Sequence, residues 1–363
     1  MKVCHITSAH NSNDVRIFHR QCVSLANAGY DTYLVAQGQS REEKGVKVIG
    51  VGDVPTNRLK RMFFFSRLVI KKALEIDADI YQIHDPELLS FAKQLKRKGK
   101  KVIFDSHEFY GYQIMHKSYI PKFLRQLASS FYMRYEAHLC KKIDSVIYVC
   151  TVNGKNYFEN RAKKSLSVAN YIDTDNFPLQ KVDKKTDAII YAGTISATRG
   201  ITHLAQAAKK AQVKLILCGT CASSNYMAEL LKDFPETIDY RGSVDWNELS
   251  KLYNSVKIGV STLLFKGQYA IIDTLPTKVY EYWWAGLPVI ISKTHYANDF
   301  FNKFKCGICV DPENTDEIAQ AIKFLLANPE EAKKLGENGR RVVIDEYNWN
   351  IESKKFLDLY KEL

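Results

Sequence analysis

Asp273-Thr274-Leu275-Pro276-Thr277-Lys278-Val279-Tyr280-Glu281-Tyr282-Trp283-Trp284-Ala285-Gly286-Leu287-Pro288-Val289-Ile290 is the most informative stretch of the chain. Thr277 is placed to cap a short helix that carries Lys278, Glu281 and Tyr282 and ends at Gly286. A strand follows at residues 288–291. Lys278 falls in the first helical turn, where its charge opposes the helix dipole. A cation in that position points to an anionic ligand. Glu281 lies three residues on, on nearly the same face, and suits vicinal hydroxyls such as those of a ribose. The alternative is an ordinary Lys–Glu surface pair.

The same strand–helix rhythm extends outward in both directions. Apolar runs at residues 188–191, 214–217, 258–261, 288–291 and 308–310 form one series. Runs at residues 3–6, 33–36, 46–49, 79–84, 101–104 and 145–149 form another. Amphipathic helices lie between them, including residues 14–28, closed by Gly29, and residues 58–76. Repeated strand–helix–strand units imply an α/β chain with two Rossmann-like, doubly wound parallel sheets. The expected organisation is an N-terminal domain at 1–176, a polar linker at 177–187, a C-terminal domain at 188–345 and a final helix at 346–363. Two such domains create a cleft, and ligands sit at the carboxyl ends of the strands.

The 363 residues include 52 Lys and Arg against 40 Asp and Glu, a net charge of +12. That excess points to nucleic acid, an anionic membrane or a phosphorylated substrate. The N-terminus lacks the pattern of a signal peptide, and no apolar run approaches the ~18 residues of a membrane span. A cytoplasmic location is expected. Cys218/Cys221 and Cys306/Cys309 have C-x-x-C spacing, but each pair sits in or beside an apolar run and reads as buried small hydrophobes rather than zinc ligands.

Several strand ends are polar. Residues 10–16 read His10-Asn11-Ser12-Asn13-Asp14-Val15-Arg16, without the Gly-rich fingerprint of a dinucleotide site. Residues 84–87 read His84-Asp85-Pro86-Glu87, and residues 105–108 read Asp105-Ser106-His107-Glu108. Acids and imidazoles there suit a polyhydroxylated ligand; helix capping is the alternative for Asp14 and Asp85. Residues 191–200, YAGTISATRG, form a small-residue turn before a helix, with Gly193, Thr194 and Arg199 suited to phosphate.

Residues 276–290, PTKVYEYWWAGLPVI, resemble the retaining glycosyltransferases of family 4, also called group 1, which have the two-domain GT-B fold. The resemblance covers essentially the whole chain. The family pattern is a glutamate, seven residues and a second glutamate, then a small residue, Gly, any residue, Pro and Val. Here Asp273 and Glu281 keep that spacing, with Asp273 the shorter acid, and Ala285 to Val289 complete the run. The resemblance implies that Glu281 binds the donor ribose and that Asp273 lies near the donor sugar. Many members carry an Arg directly after the turn glycine and a Lys five residues later; here Thr194 and Arg199 stand there, and Lys278 supplies the missing charge.

By this resemblance Gly193, Thr194, Arg199, Asp273, Leu275, Pro276, Thr277, Lys278 and Glu281 contact the donor. The catalytic set is His107, Asp273, Arg199 and Lys278, without a metal or other cofactor. The donor is a UDP- or GDP-linked sugar. Asp14, Arg16, His84, Asp85, Glu87 and His107 face the acceptor. HNSNDVRIFHRQ, IHDPELL and DSHEFY look like a bacterial subgroup that builds capsule, O-antigen, lipopolysaccharide or exopolysaccharide, with a lipid-linked glycan as acceptor. Residues 167–173, SVANYID, resemble the family's stretch before the hinge, and the last helix is expected to cross back onto the N-terminal domain.

Three basic segments, residues 58–72, 91–101 and 115–142, all fall in the N-terminal half, interleaved with aromatic and aliphatic side chains. They suit peripheral docking on the inner face of an anionic plasma membrane; solvated helix faces are the alternative. Three other functions remain open: a nucleotide-sugar epimerase of the same fold, a silent scaffold, and a basic nucleic-acid-binding protein. The last lacks any recognition motif, so nucleic acid is not an expected partner.

Overall fold

In a parallel sheet covered on both faces, strands read as near-continuous apolar runs, and two such sheets form here. The computed structural model describes residues 1–55, 57, 61–115, 117, 120–179 and 185–363. It divides into two compact units, Met1–Asn170 with Ile351–Leu363, and Tyr171–Asn350.

Unit 1 contains β1 (Lys2–Asn11), β2 (Asp31–Gln37), β3 (Arg41–Glu43), β4 (Val46–Gly50), β5 (Ile80–Ile83), β6 (Lys101–Ser106), β7 (Ser145–Tyr148) and β8 (Ser165–Ser167). Their spatial order is β3-β4-β2-β1-β5-β6-β7-β8. Every neighbouring pair is parallel except β3 with β4. The order reverses at β1, which has β2 on one side and β5 on the other. Ile6 pairs with Ile83, and Ile83 with Phe104. That register brings the residues after β1, after β5 and at the end of β6 to one level, where ligands bind in such sheets.

Unit 2 contains β9 (Ala188–Ala192), β10 (Lys214–Cys218), β11 (Ile238–Gly242), β12 (Ile258–Ser261), β13 (Val289–Ser292) and β14 (Gly307–Val310). All pairs are parallel, in the order β11-β10-β9-β12-β13-β14. Here the order reverses at β9. Alternate residues face two apolar layers: Ile189 and Tyr191 pack with Leu204 and Ala208 on one side, Ile190 and Ala192 with Tyr282 and Trp283 on the other.

The structure departs from the sequence expectation in several places. Strands β3, β8 and β11 were not anticipated; β3 and β11 end their sheets and carry polar, partly exposed residues. The helix expected over 14–28 starts as a π-helical turn, Val15–Cys22, and becomes α-helical only over Val23–Asn27. Gly29 then takes φ +86°, the left-handed conformation that ends it. Of the helix expected over 58–76, residues 58–60 lie outside the described residues, and Arg61–Phe65 is a π-helical turn before the α-helix Ser66–Ile76.

The division between units falls after Asn170 and Asn350, not at 176/188 and 345/346. Tyr171 packs on Tyr280 and Tyr347, and Phe177 is buried against Tyr253, so residues 171–179 are anchored in unit 2. Residues 180–184 of the expected linker lie outside the described residues. In the last helix, Trp349–Lys361, the buried side chains Phe356, Leu359 and Tyr360 belong to unit 1. All eight cysteines are free thiols, and among the described residues they form no four-thiolate cluster.

Candidate functional site

In unit 2 a cavity of about 310 Å³ opens at the carboxyl ends of β9, β12 and β13. Gly193, Thr194, Arg199, Leu275, Pro276, Thr277 and Lys278 line it. Asp273 and Glu281 do not, although Ile272 and Thr274 on either side of Asp273 do. Ser261, Tyr269, Ser292 and Thr294 also line it and were not anticipated, as do the apolar Leu263, Phe265 and Ile291. The only sequence signal of Ser261, Ser292 and Thr294 is a hydroxyl at or just beyond a strand end.

Lys278 lies in the first turn of the helix Thr277–Trp284. Pro276, not Thr277, is the N-cap residue, and no side chain caps the helix. The first backbone N–H groups are therefore left for a ligand. The Lys278 side chain is buried, with Nζ 3.6 Å from the ring centroid of Tyr191. It forms no ion pair among the described residues. Burial pulls its pKa well down, and the charge of Arg199 adds to this, while Glu281 opposes it. Gly193 makes room for the amine. Its φ is +130°, and a Cβ there would stand 3.0 Å from Nζ. Gly193→Ala should therefore displace Lys278 and weaken anion binding about tenfold; titration with inorganic pyrophosphate reads this, and unchanged affinity would refute it. The Arg199 guanidinium lies over the Tyr269 ring, 4.9 Å from its centroid. Two cations thus meet at one cavity wall, a costly arrangement without an anion.

Glu281 is not one half of an ion pair with Lys278. Its Oε2 accepts a hydrogen bond from the Tyr253 hydroxyl at 2.8 Å.

In unit 1 the expected acceptor residues converge at the ends of β1, β5 and β6, but in different roles. Asp14 caps the first helix, accepting from the N–H groups of Arg16 and Ile17. Asp85 does not cap. Its fully buried Oδ2 accepts from Ser8 N, Ala9 N and Thr7 Oγ1 at 2.6, 3.1 and 2.8 Å. Arg16 and His84 were expected to face a ligand, yet they are 4% and 1% exposed. Arg16 donates from Nε and Nη2 to Asp105 at 3.0 and 2.7 Å, and from Nη1 to the Val168 carbonyl. His84 Nε2 lies 2.9 Å from His5 Nδ1. Both are scaffold for the residues above them. Asp14, Glu87 and His107 keep partial exposure.

Asp105 is buried, and Gln21 Nε2 also donates to its Oδ2, at 2.8 Å. Burial pushes its pKa up, but Arg16 and the two histidines beside it hold it well below the usual carboxylate range. His84, Asp105 and His107 have the composition of a metal triad. Gln21 donates to Asp105 Oδ2, and the Arg16 guanidinium is bound to both Asp105 oxygens, so a metal would compete with a cation already in place and the triad fits it poorly. His10, which heads the polar run 10–16 but was assigned no site role, contacts His107, with the two Nε2 atoms 3.0 Å apart.

Residues 173–342 match the family model described as glycosyl transferases group 1, and residues 15–175 match that of glycosyltransferase family 4. The chain belongs to the family 4, group 1 glycosyltransferases. An uncharacterised glycosyltransferase of Methanocaldococcus jannaschii is 24% identical over 179 residues, 48% of this chain and 44% of that protein. Alpha-maltose-1-phosphate synthase of Mycobacterium tuberculosis is 22% identical over 202 residues, 50% of this chain and 49% of that protein. The chain spans about half the length of the curated relatives it matches. Among solved structures, sucrose-phosphate synthase from Thermosynechococcus elongatus superposes with a TM-score of 0.76 at 16% identity, covering 99% of this chain and 98% of that one. Anabaena HepE in complex with UDP and glucose gives a TM-score of 0.75 at 13% identity, over the full length of both chains. These likenesses establish the GT-B fold of this family 4 member.

Proposed function

We propose that the protein transfers a sugar, with retention, from a UDP- or GDP-linked donor to an acceptor hydroxyl. The observation that carries this reading is the pair Lys278 and Arg199 at one wall of the unit 2 cavity, with Lys278 buried and without a counter-ion among the described residues. A diphosphate supplies the missing anion, and fixed cations stabilise its charge as the glycosidic bond breaks. The UDP held by HepE and the nucleotide chemistry of the family agree with it. Glu281 would hold the ribose and Asp273 the donor sugar. Asp14, Glu87 and His107 would meet the acceptor, with His107 also positioning the reacting sugar.

A thermal-shift series against UDP- and GDP-sugars tests the donor. Saturation at 100 times the dissociation constant stabilises by about 2.7 kcal/mol, and no shift with any of them would sink the reading. Incubating the stabilising donor without acceptor separates transfer from epimerisation, since only an epimerase then converts the sugar. Glu281→Gln should weaken nucleoside-diphosphate binding about tenfold by removing a charged acceptor; an unchanged dissociation constant would rule out the ribose role.

The acceptor we propose is a lipid-linked glycan of a bacterial surface polysaccharide. No helix among the described residues is long and apolar enough to cross a membrane. The helix Lys122–Cys140 instead exposes Phe123, Leu127 and Phe131, at 82%, 68% and 72%, along one stripe flanked by exposed Lys122 and Arg134. Phe63 and Phe64 are exposed as well. Such faces suit docking on anionic lipid. The protein should sediment with anionic vesicles at low salt and be released at high salt. No sedimentation at low salt would remove the membrane from the reading.

A further inference from the structure

His10 follows the core of β1 and stands between two acids. Its Nδ1 lies 3.3 Å from Asp14 Oδ2, and its Nε2 lies 3.4 Å from Asp85 Oδ1. A carboxylate beside each ring nitrogen favours the doubly protonated, cationic form of the ring. Asp85 supplies a second sign. Its Oδ1 is buried without a hydrogen-bond partner, 3.4 Å from His10 Nε2, so its charge favours the cationic ring.

The same Nε2 is 3.0 Å from Nε2 of His107. Two imidazole nitrogens at that distance share one proton, and His10 already owns it. His107 must therefore accept at Nε2. A neutral imidazole keeps one proton, so His107 carries it on Nδ1. That nitrogen is itself buried without a hydrogen-bond partner, 3.9 Å from Asp105 Oδ2.

We propose that His10 is a positioning residue of the unit 1 site, an imidazolium clamped by Asp14 and Asp85 whose Nε2–H fixes the ring and the Nδ1–H tautomer of His107. His107 is then neutral, and the positive charge of this site sits on His10, the more exposed ring of the two, at 29% against 11%. An approaching hydroxyl meets a fixed cation and a fixed ring instead of two freely titrating histidines. Preorganisation of that kind lowers the cost of aligning a reacting sugar.

The groups facing His10 are Asp14 ahead of the first helix, Asp85 after β5, and His107 and Glu108 after β6. Burial pulls the His10 pKa down. The hydrogen bond that His10 donates to Asp14 and the charges of Asp85, Asp14 and Glu108 outweigh it and raise the value to about 9. Above that pH His10 keeps one proton, cannot serve both Asp14 and His107, and releases the His107 ring.

The positioning role rests on the proposed sugar transfer; the proton arrangement does not. Long-range proton–nitrogen spectra of the imidazoles in the wild-type chain, H10Q and H10A test the arrangement directly. His10 should be doubly protonated at pH 7.5 with a midpoint near 9, and His107 neutral with its proton on Nδ1. In H10A the His107 signals should move to the other tautomer or to a mixture. In H10Q the amide donates in place of Nε2–H, so His107 should keep Nδ1–H and lose its response to the transition near pH 9. A His107 proton on Nε2 in the wild-type chain, or a His10 midpoint near the ordinary 6.5, overturns the proposal.

Transfer rates with whichever donor gives a thermal shift test the consequence. H10A should lose up to about 100-fold in kcat with the donor KM unchanged. H10Q should recover part of that loss while its rate no longer declines above pH 9. Wild-type rates for H10A across pH 6–10 overturn the positioning role even if the spectra agree. Should no variant transfer sugar, wild type included, the functional reading fails, and the spectra still decide the proton arrangement.

Discussion

Lys278→Met is expected to weaken nucleoside-diphosphate binding sharply while raising the melting temperature of the unliganded protein. The two effects have one cause. The amine is buried at a helix N-terminus, beside a second cation and without an ion pair among the described residues. Methionine has nearly the same length and no charge to desolvate. Replacing buried ionic groups with packed apolar ones gains about 1–4 kcal/mol where it has been measured; a single amine that can shed its proton belongs at the low end, about 1 kcal/mol. For a cooperative unit the size of Tyr171–Asn350 that is a rise of roughly 2–4 °C. Binding should move the other way. A charge-assisted hydrogen bond to phosphate contributes about 1.5–3 kcal/mol, so affinity for UDP or GDP should fall about 10- to 100-fold. Calorimetric titration and a melting curve read both. A variant that melts lower and binds normally would make Lys278 a packing residue and remove the central support for a diphosphate site.

The pH dependence of that stability has a definite sign. In the folded state the Lys278 pKa lies below the 10.5 of the unfolded chain. Between those values the unfolded chain binds more protons, so stability rises with pH. The slope from this group is at most about 1.4 kcal/mol per pH unit. The advantage of Lys278→Met should therefore be largest at low pH, shrink through the alkaline range and vanish above 10.5.

The donor cavity was largely legible in the sequence, because its residues are local. Leu275 to Lys278 are consecutive, and Gly193 and Thr194 directly follow a strand whose apolar run is unmistakable. Position after a parallel strand is enough to place such residues at a ligand-binding edge. The hydroxyl residues Ser261, Ser292 and Thr294 reach the same cavity from β12 and from the end of β13, and nothing in their neighbours distinguishes them from ordinary strand termini. Unit 1 was harder for a different reason. Arg16, His84 and Asp105 are polar residues at strand ends, which reads as a ligand surface. Only the register of β1, β5 and β6 turns them inward onto one another. His10 is visible as an imidazole at a strand end, but no site role could be assigned to it because its neighbours Asp85 and His107 lie 75 and 97 residues away. The short edge strands β3 and β11 lacked an apolar run because an edge is only half covered.

The buried pair Arg16–Asp105 carries the second large prediction. Either partner alone is a stranded charge. Arg16→Met leaves Asp105 with Gln21 and two imidazoles, and Asp105→Asn leaves a guanidinium 4% exposed beside a neutral amide. Each should cost unit 1 about 3–5 kcal/mol. The double variant should cost clearly less than the sum, by about 2 kcal/mol or more, because the second change removes the charge that the first one stranded. Simple additivity would mean that the two groups do not act as a pair. All four tryptophans, Trp246, Trp283, Trp284 and Trp349, lie in unit 2, so their fluorescence reports that unit. Amide exchange in β1, β5 and β6 reports unit 1. Asp105 also gives the acid limb its sign. Its folded pKa lies well below the 3.8 of a free carboxyl, so its contribution is complete above about pH 4 and is lost as pH falls toward the folded value. Arg16→Met raises that folded value, because Arg16 is the largest of the influences holding it down. The variant should then lose its exchange protection in β6 at a higher pH than the wild-type chain. A change confined to overall stability, with the acid midpoint unmoved, would show that Asp105 is held ionised by Gln21 and the histidines alone.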